Sequence, residues 1–181
     1  EENKIRPKQM AINLADLASN QAVKVAIIAD IIKETGAHPG WFEFSIPESE
    51  IVENQTVLIP IIQQLVAEGF TVAIENIGTD SSLFGQLTTI PAKIIELDPA
   101  LIRNVTKDKA KADRLADSIG LLQGMGKIVM AKEVETEQQL DCLKAIGCDV
   151  IQGHLLSRPL PAKEAKALIE ALPDFAWFLK Q

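Results

Sequence analysis

Residues Thr71–Ser82 read TVAIENIGTDSS. The stretch opens as an apolar, β-branched run of strand type and ends in two polar side chains, Glu75 and Asn76. It then turns through Gly78 and Thr79. A strand with polar groups at its C-terminal end, turning directly into further chain, is the layout of an α/β enzyme site. The layout recurs on both sides. Upstream, MAINLA (10–15) carries Asn13 and WFEFSI (41–46) carries Glu43. Downstream, IIELD (94–98) carries Glu96 and Asp98, the strand 128–134 carries Lys132 and Glu133, and the strand 149–153 ends at Gln152.

Apolar residues at helical spacing predict helices between these strands, over 21–35, 48–68, 80–90, 107–125, 136–146 and 162–172. Gly36, Gly69 and Gly147 are natural stops, and Pro60 is expected to kink or split its helix. The Ile-rich run 27–32 reads as core. Six strands separated by helices imply a parallel sheet with right-handed crossovers, and short repeats with polar strand ends favour a (β/α) barrel over an open sheet. Six is two short of the usual eight. The expectation is therefore one α/β domain over 1–181, an N-terminally truncated TIM-like barrel with its core at about 10–172. The tail 173–181 carries Phe175, Trp177 and Phe178, too apolar to hang free in water. Glu1 in place of a methionine suggests a fragment or processed chain, and two open sheet edges suggest a homodimer or a piece released from a longer folded parent.

The 181 residues, 47% hydrophobic and 24% charged, suit a soluble globular domain, and the net charge of −7 argues against a nucleic-acid backbone as partner. Cys142 and Cys148 form neither a disulfide framework nor a metal knuckle. No apolar run approaches the roughly 20 residues that cross a bilayer. A cytoplasmic setting follows, as a free domain or as the cytosolic part of a larger membrane-bound protein. His38, in a turn with Pro39, reads as inert.

The order of strand ends is specific: AINLA, FEFSIPES, AIENIGTDSSLFGQLTTIPAKIIELD, IVMAKEVETEQQL, GCDVIQGHLLSRPLP. In this order the chain resembles the EAL domain family, bacterial phosphodiesterases of cyclic di-GMP built on a modified TIM barrel. The resemblance runs from about Met10 to about Leu172. It implies a site in which acidic and amide side chains hold one or two divalent cations that activate a water for attack on phosphorus. The Glu-Ala-Leu motif itself would lie before Glu1. The family's asparagine ligand matches Asn13, and the glutamate of the next strand matches Glu43, with Ile46 in place of that strand's second acid. Its paired aspartates match Glu75 and Asn76. Gly78 and Thr79 survive, followed by Asp80 and Ser81 in place of the usual glycine and aromatic. Glu96 replaces a lysine, Lys132 a glutamate, Glu133 a glycine and His154 an aromatic. Asp98, Glu135 and Gln152 match.

An ammonium at Lys132 repels a divalent cation, and Asn76 is an uncharged, weaker ligand than aspartate. The resemblance therefore implies a catalytically inactive EAL-like domain that regulates bacterial signalling through a protein partner. No cofactor is expected, and Asn13, Glu43 and Glu75 are vestiges of the metal site. Two alternatives stand beside it. One is a receptor that binds cyclic di-GMP weakly without cutting it, helped by the Ser157-Arg158-Pro159 loop. The other is a weak phosphodiesterase requiring Mg²⁺ or Mn²⁺. The swapped signs of Glu96 and Lys132 predict an ion pair between them at the barrel mouth, with Lys132 also offsetting Glu43, Glu75 and Glu135.

Overall fold

The structure, a computed structural model, describes residues 9–14 and 25–171. The tail 173–181 and the start of the predicted helix 21–35 lie outside the described residues. The six strands are β1 (Met10–Asn13), β2 (Phe42–Pro47), β3 (Thr71–Ile77), β4 (Ile94–Leu97), β5 (Ile128–Ala131) and β6 (Val150–Ile151). They form one parallel sheet in chain order. The sheet curls as a half-barrel, and among the described residues no strand joins β6 back to β1.

The helices are α1 (Val25–Glu34), α2 (Glu48–Glu53), α3 (Gln55–Ala67), α4 (Pro99–Asn104), α5 (Lys109–Gly124), α6 (Glu137–Ala145) and α7 (Ala162–Ala171). The main core lies between them and the outer face of the sheet. There Leu58, Ile62 and Leu65 of α3 and Ile119 and Leu122 of α5 are buried together with Ile74 and Ile95. Burying side chains of this size contributes about 1.5–3 kcal/mol each. Polar clips fix the strand starts at the opposite end from the polar tips. Lys127 Nζ donates to the carbonyls of Ile90 and Ala92 at 2.9 and 2.7 Å. Asp149 accepts from the Val129 amide and from Gln123.

The structure corrects several boundaries. The 48–68 helix does split, but at Asn54, which leaves helical geometry at φ −130°, while α3 runs through Pro60. Residues 80–90 form turns and one 3₁₀ turn, Phe84–Gln86, because the Ser81 hydroxyl ties into the turn, donating to Glu48 and accepting from the Leu83 amide. An extra helix, α4, starts at Asp98-Pro99: the Asp98 carboxylate caps the Ala100 amide at 2.7 Å, and proline occupies the first helical position. Strand β5 stops at Ala131, and β6 is two residues long. Within α1, Val25, Ala29 and Ile32 are buried, but Ile27 and Ile31 are 49% and 57% exposed, so that run is only half core.

Candidate functional site

Side chains alternate across a strand, so residues two apart share a face. That rule assembles the inner face of the half-barrel. Ile94, Ile128, Met130 and Val150 give the apolar lining, and Asn13, Glu43, Ser45, Glu96, Lys132 and Gln152 the polar lining, of a groove of about 750 Å³. Asn13 pairs in register with Ser45, and Glu96 with Met130, two residues before Lys132.

Lys132 stands just beyond β5, with Nζ 2.7 Å from Glu96 Oε2, a close ion pair although not aligned as a hydrogen bond, and 3.8 Å from Glu75 Oε1. The ion pair expected from the swapped signs is thus present. The other Glu96 oxygen accepts from the Ser45 hydroxyl at 2.8 Å. Sequence reasoning missed Ser45, although its position two residues after Glu43 on one strand face signals it. Glu135 is not among the acids acting on Lys132; it is exposed and lines a neighbouring groove of about 780 Å³ with Gln152, His154 and Arg158, a groove that also reaches Lys132.

One ammonium therefore pairs with two carboxylates, Glu96 and Glu75, and feels the charge of a third, Glu43. Glu43 is 3% exposed, and Glu43 Oε1 and Glu75 Oε1 are buried without a hydrogen-bond partner. Burial raises the Glu43 carboxyl from 4.5 to about 7; the charges of Glu96 and Glu75 add to this, and Lys132 opposes it. Burial, and then the Glu96 charge, also raise Glu75 against the pull of Lys132. For Lys132, burial works to lower the ammonium, but contact with Glu96 and the charges of Glu75 and Glu43 outweigh it and hold it above 10.5.

Asn76 does not join this cluster. Between β3 and β4 the register shifts between Ile74 and Ile77, and three residues of β3 span two of β4. The bulge puts Asn76 at φ +62° and turns it to solvent beside Glu48, Ser49, Val52 and Glu53. Asparagine tolerates that region. Asp98, used as the cap of α4, does not line the groove either. The loop after β5 is locked by a capping box. The Thr136 side chain caps the Gln139 backbone amide, and the Gln139 side-chain Oε1 accepts from the Glu135 and Thr136 amides at 2.8 and 3.0 Å. The spacing of Thr136 and Gln139 is the signal that identifies it in sequence.

Glu133 takes φ +56°, a region where a glutamate is strained and glycine is not. Its carboxylate pairs with Arg103 at 3.0 Å, but both side chains are mostly exposed, so the pair offsets little. The variant Glu133→Gly is expected to gain about 1 kcal/mol, read as a higher urea midpoint, with Glu133→Ala showing no such gain. A midpoint for the glycine variant below that of the parent would contradict the strain.

The divalent cation that the resemblance implies does not fit these residues. Lys132 already places a positive charge against Glu96 and near Glu75, and among the described residues no group of three or more His, Cys, Asp or Glu is arranged to hold a metal ion.

The family described as EAL domain matches residues 1–159. The bifunctional diguanylate cyclase/cyclic di-GMP phosphodiesterase MucR of Pseudomonas aeruginosa is 28% identical over 160 residues, covering 88% of this chain and 23% of MucR. The chain spans less than a quarter of the curated relatives it matches. The solved PaMucR phosphodiesterase in complex with c-di-GMP superposes with a TM-score of 0.79 at 27% identity, over 87% of this chain and 64% of that one. The EAL domain of Mycobacterium smegmatis DcpA gives 0.81 at 25% identity, over 96% and 75%. The manganese and cyclic di-GMP complex of Klebsiella pneumoniae BlrP1 gives 0.75 at 26% identity, over 83% and 39%.

Proposed function

The chain belongs to the EAL domain family, and we propose that it is a non-hydrolysing member, acting in bacterial signalling through contact with a regulatory protein partner. One observation carries the non-hydrolysing reading: the Lys132 ammonium, paired with Glu96 at 2.7 Å, also stands 3.8 Å from Glu75, one of the acids that would have to hold a metal ion. Without that ion, nothing at the site generates a hydroxide for attack on phosphorus near neutral pH. Asn76, turned away by the β3 bulge, removes a further ligand. Contact with a protein is supported by the exposed Ile27 and Ile31, one helical turn apart on α1.

A second reading, a receptor that holds cyclic di-GMP without cutting it, is favoured by the two grooves. They meet at Lys132 and Gln152, and Lys132 and Arg158 offer cations to a ligand with two phosphates. The nucleotide is bound in the PaMucR and BlrP1 complexes. A weak metal-dependent phosphodiesterase is the remaining alternative.

Calorimetric titration of cyclic di-GMP, with Mg²⁺, with Ca²⁺ and with chelator, separates the three, alongside chromatography for linear product. The expected result is no product under any condition and no heat at about 100 μM protein. Micromolar binding without product would replace the partner reading by the receptor, and metal-dependent product would overturn both.

A further inference from the structure

We propose that the cationic segment Arg103–Arg114, at the α4–α5 turn and along α5, is a docking surface for an acidic segment of another protein. The inference rests on the partner reading above and gives that partner a chemistry. The segment reads RNVTKDKAKADR: five of the chain's 18 Lys and Arg within twelve residues, against two acids, in a chain of net charge −7. All five cations are exposed. Arg103 is paired with Glu133, and Lys111 stands 3.8 Å from Asp108, but among the described residues Lys107, Lys109 and Arg114 have no ion-pair partner.

The fold does not call for these charges. The first turn of a helix carries the positive end of the backbone dipole and favours acids. Helix α5 has no acid there and places Lys109 and Lys111 in that turn instead, with only the Asp108 cap to answer them. Helix α6 shows the ordinary arrangement, with Glu137 in its first turn. Cations that work against their own helix point to a gain made outside the free chain. The geometry of α5 says what supplies it. Its buried stripe is Leu115, Ile119 and Leu122. One residue earlier, Lys111, Arg114, Ser118 and Leu121 follow at spacings of three, four and three, and so share a neighbouring stripe. That stripe runs from two exposed cations to Leu121, which is 52% exposed. An acidic segment that carries an apolar residue covers both ends. A nucleic-acid backbone, with a charge about every 1.7 Å, has nothing to set on Leu121 and would run on from the patch over an otherwise acidic chain. An anionic membrane meets the same acidic surroundings.

The test is fluorescence anisotropy at about 50 mM salt with a labelled peptide of Glu-Glu-Leu repeats, about twelve residues long. Labelled oligo(dT) and vesicles containing phosphatidylserine are titrated beside it. The parent chain is compared with Lys109→Gln/Lys111→Gln/Arg114→Gln and with Lys33→Gln/Lys163→Gln/Lys166→Gln, which removes as much charge from α1 and α7. The parent is expected to bind the peptide more tightly than the DNA or the vesicles. The α5 variant is expected to weaken that binding at least about tenfold, and the α1/α7 variant by less than about twofold. Because it clears cations from the positive end of the dipole, the α5 variant is also expected to melt at or above the parent Tm. A parent that does not bind the peptide, equal weakening in both variants, or tighter binding of the DNA or the vesicles overturns the inference and leaves the partner reading to Ile27 and Ile31. An α5 variant that melts well below the parent shows that these cations serve the fold, and overturns it too. Micromolar binding of cyclic di-GMP in the separate titration removes the partner reading itself, and this inference with it.

Discussion

The variant Gly153→Ala is expected to lose at least about 3 kcal/mol of stability, above the usual range for one added methyl group. The reason is local. A Cβ at Gly153 would fall inside the van der Waals shells of the Val134 carbonyl oxygen and amide nitrogen, and 2.7 Å from its carbonyl carbon. The obstacle is backbone, so no rotamer change relieves it. Nor is that backbone free to retreat, because the Val134 amide donates to the Gln152 carbonyl at 3.0 Å and its carbonyl accepts from Leu155 at 3.1 Å. Where glycine elsewhere merely permits a positive φ, here it permits two chains to touch. The contact joins the loop after β5 to the loop after β6, and so sets Lys132 and Glu135 against Gln152 and His154. Gly120 supplies the control. It lies exposed in α5, and an added Cβ meets no heavy atom within 4 Å, so Gly120→Ala should gain about 0.5–1 kcal/mol. Urea unfolding of both variants should move in opposite directions; a Gly153→Ala midpoint matching the parent would mean that the two loops are not held together.

The same contrast between local and long-range causes explains what could be read from the sequence. Strand β3 announces itself by an apolar β-branched run and β2 by aromatic residues alternating with polar ones, and Glu43 and Glu75 both face inward because alternation along each strand fixes which residues do so. The Glu96–Lys132 pair was legible because two opposite changes of sign on neighbouring strands make sense only in contact. The departures share a different origin. The β3 bulge, which removes Asn76 from the cluster, depends on how β3 pairs with β4 and leaves no mark in β3 itself. Ile27 and Ile31 carry the same apolar signal as Ile32, and only the packing of α1 separates exposed from buried. The α4 cap was different: Asp98-Pro99 is a recognisable helix start, obscured by the competing reading of Asp98 as a site residue.

The variant Glu43→Gln is expected to stabilise the protein above neutral pH and to flatten its pH dependence. Glu43 carries a carboxyl raised from 4.5 to about 7 in the folded chain. Between those values the folded state holds a proton that the unfolded state has released, so stability falls as pH rises from about 4.5 to about 7 and levels off above. At about 1.4 kcal/mol per pH unit, the penalty at pH 8 is about 3 kcal/mol. The groups facing Glu43 set its sign: Glu75 and Glu96 repel the ionised form, and Lys132 only partly compensates. Glu75 is raised for the same reasons and adds to the same slope, whereas Lys132, held above 10.5, contributes stability that disappears only at higher pH. Glutamine keeps the shape and removes the charge, so Glu43→Gln should match the parent near pH 4.5 and exceed it by about 2–3 kcal/mol at pH 8. Urea midpoints at the two pH values read this directly. A variant less stable than the parent at pH 8 would mean that Lys132 uses the charge on Glu43, and that three acids, rather than two, balance that single ammonium.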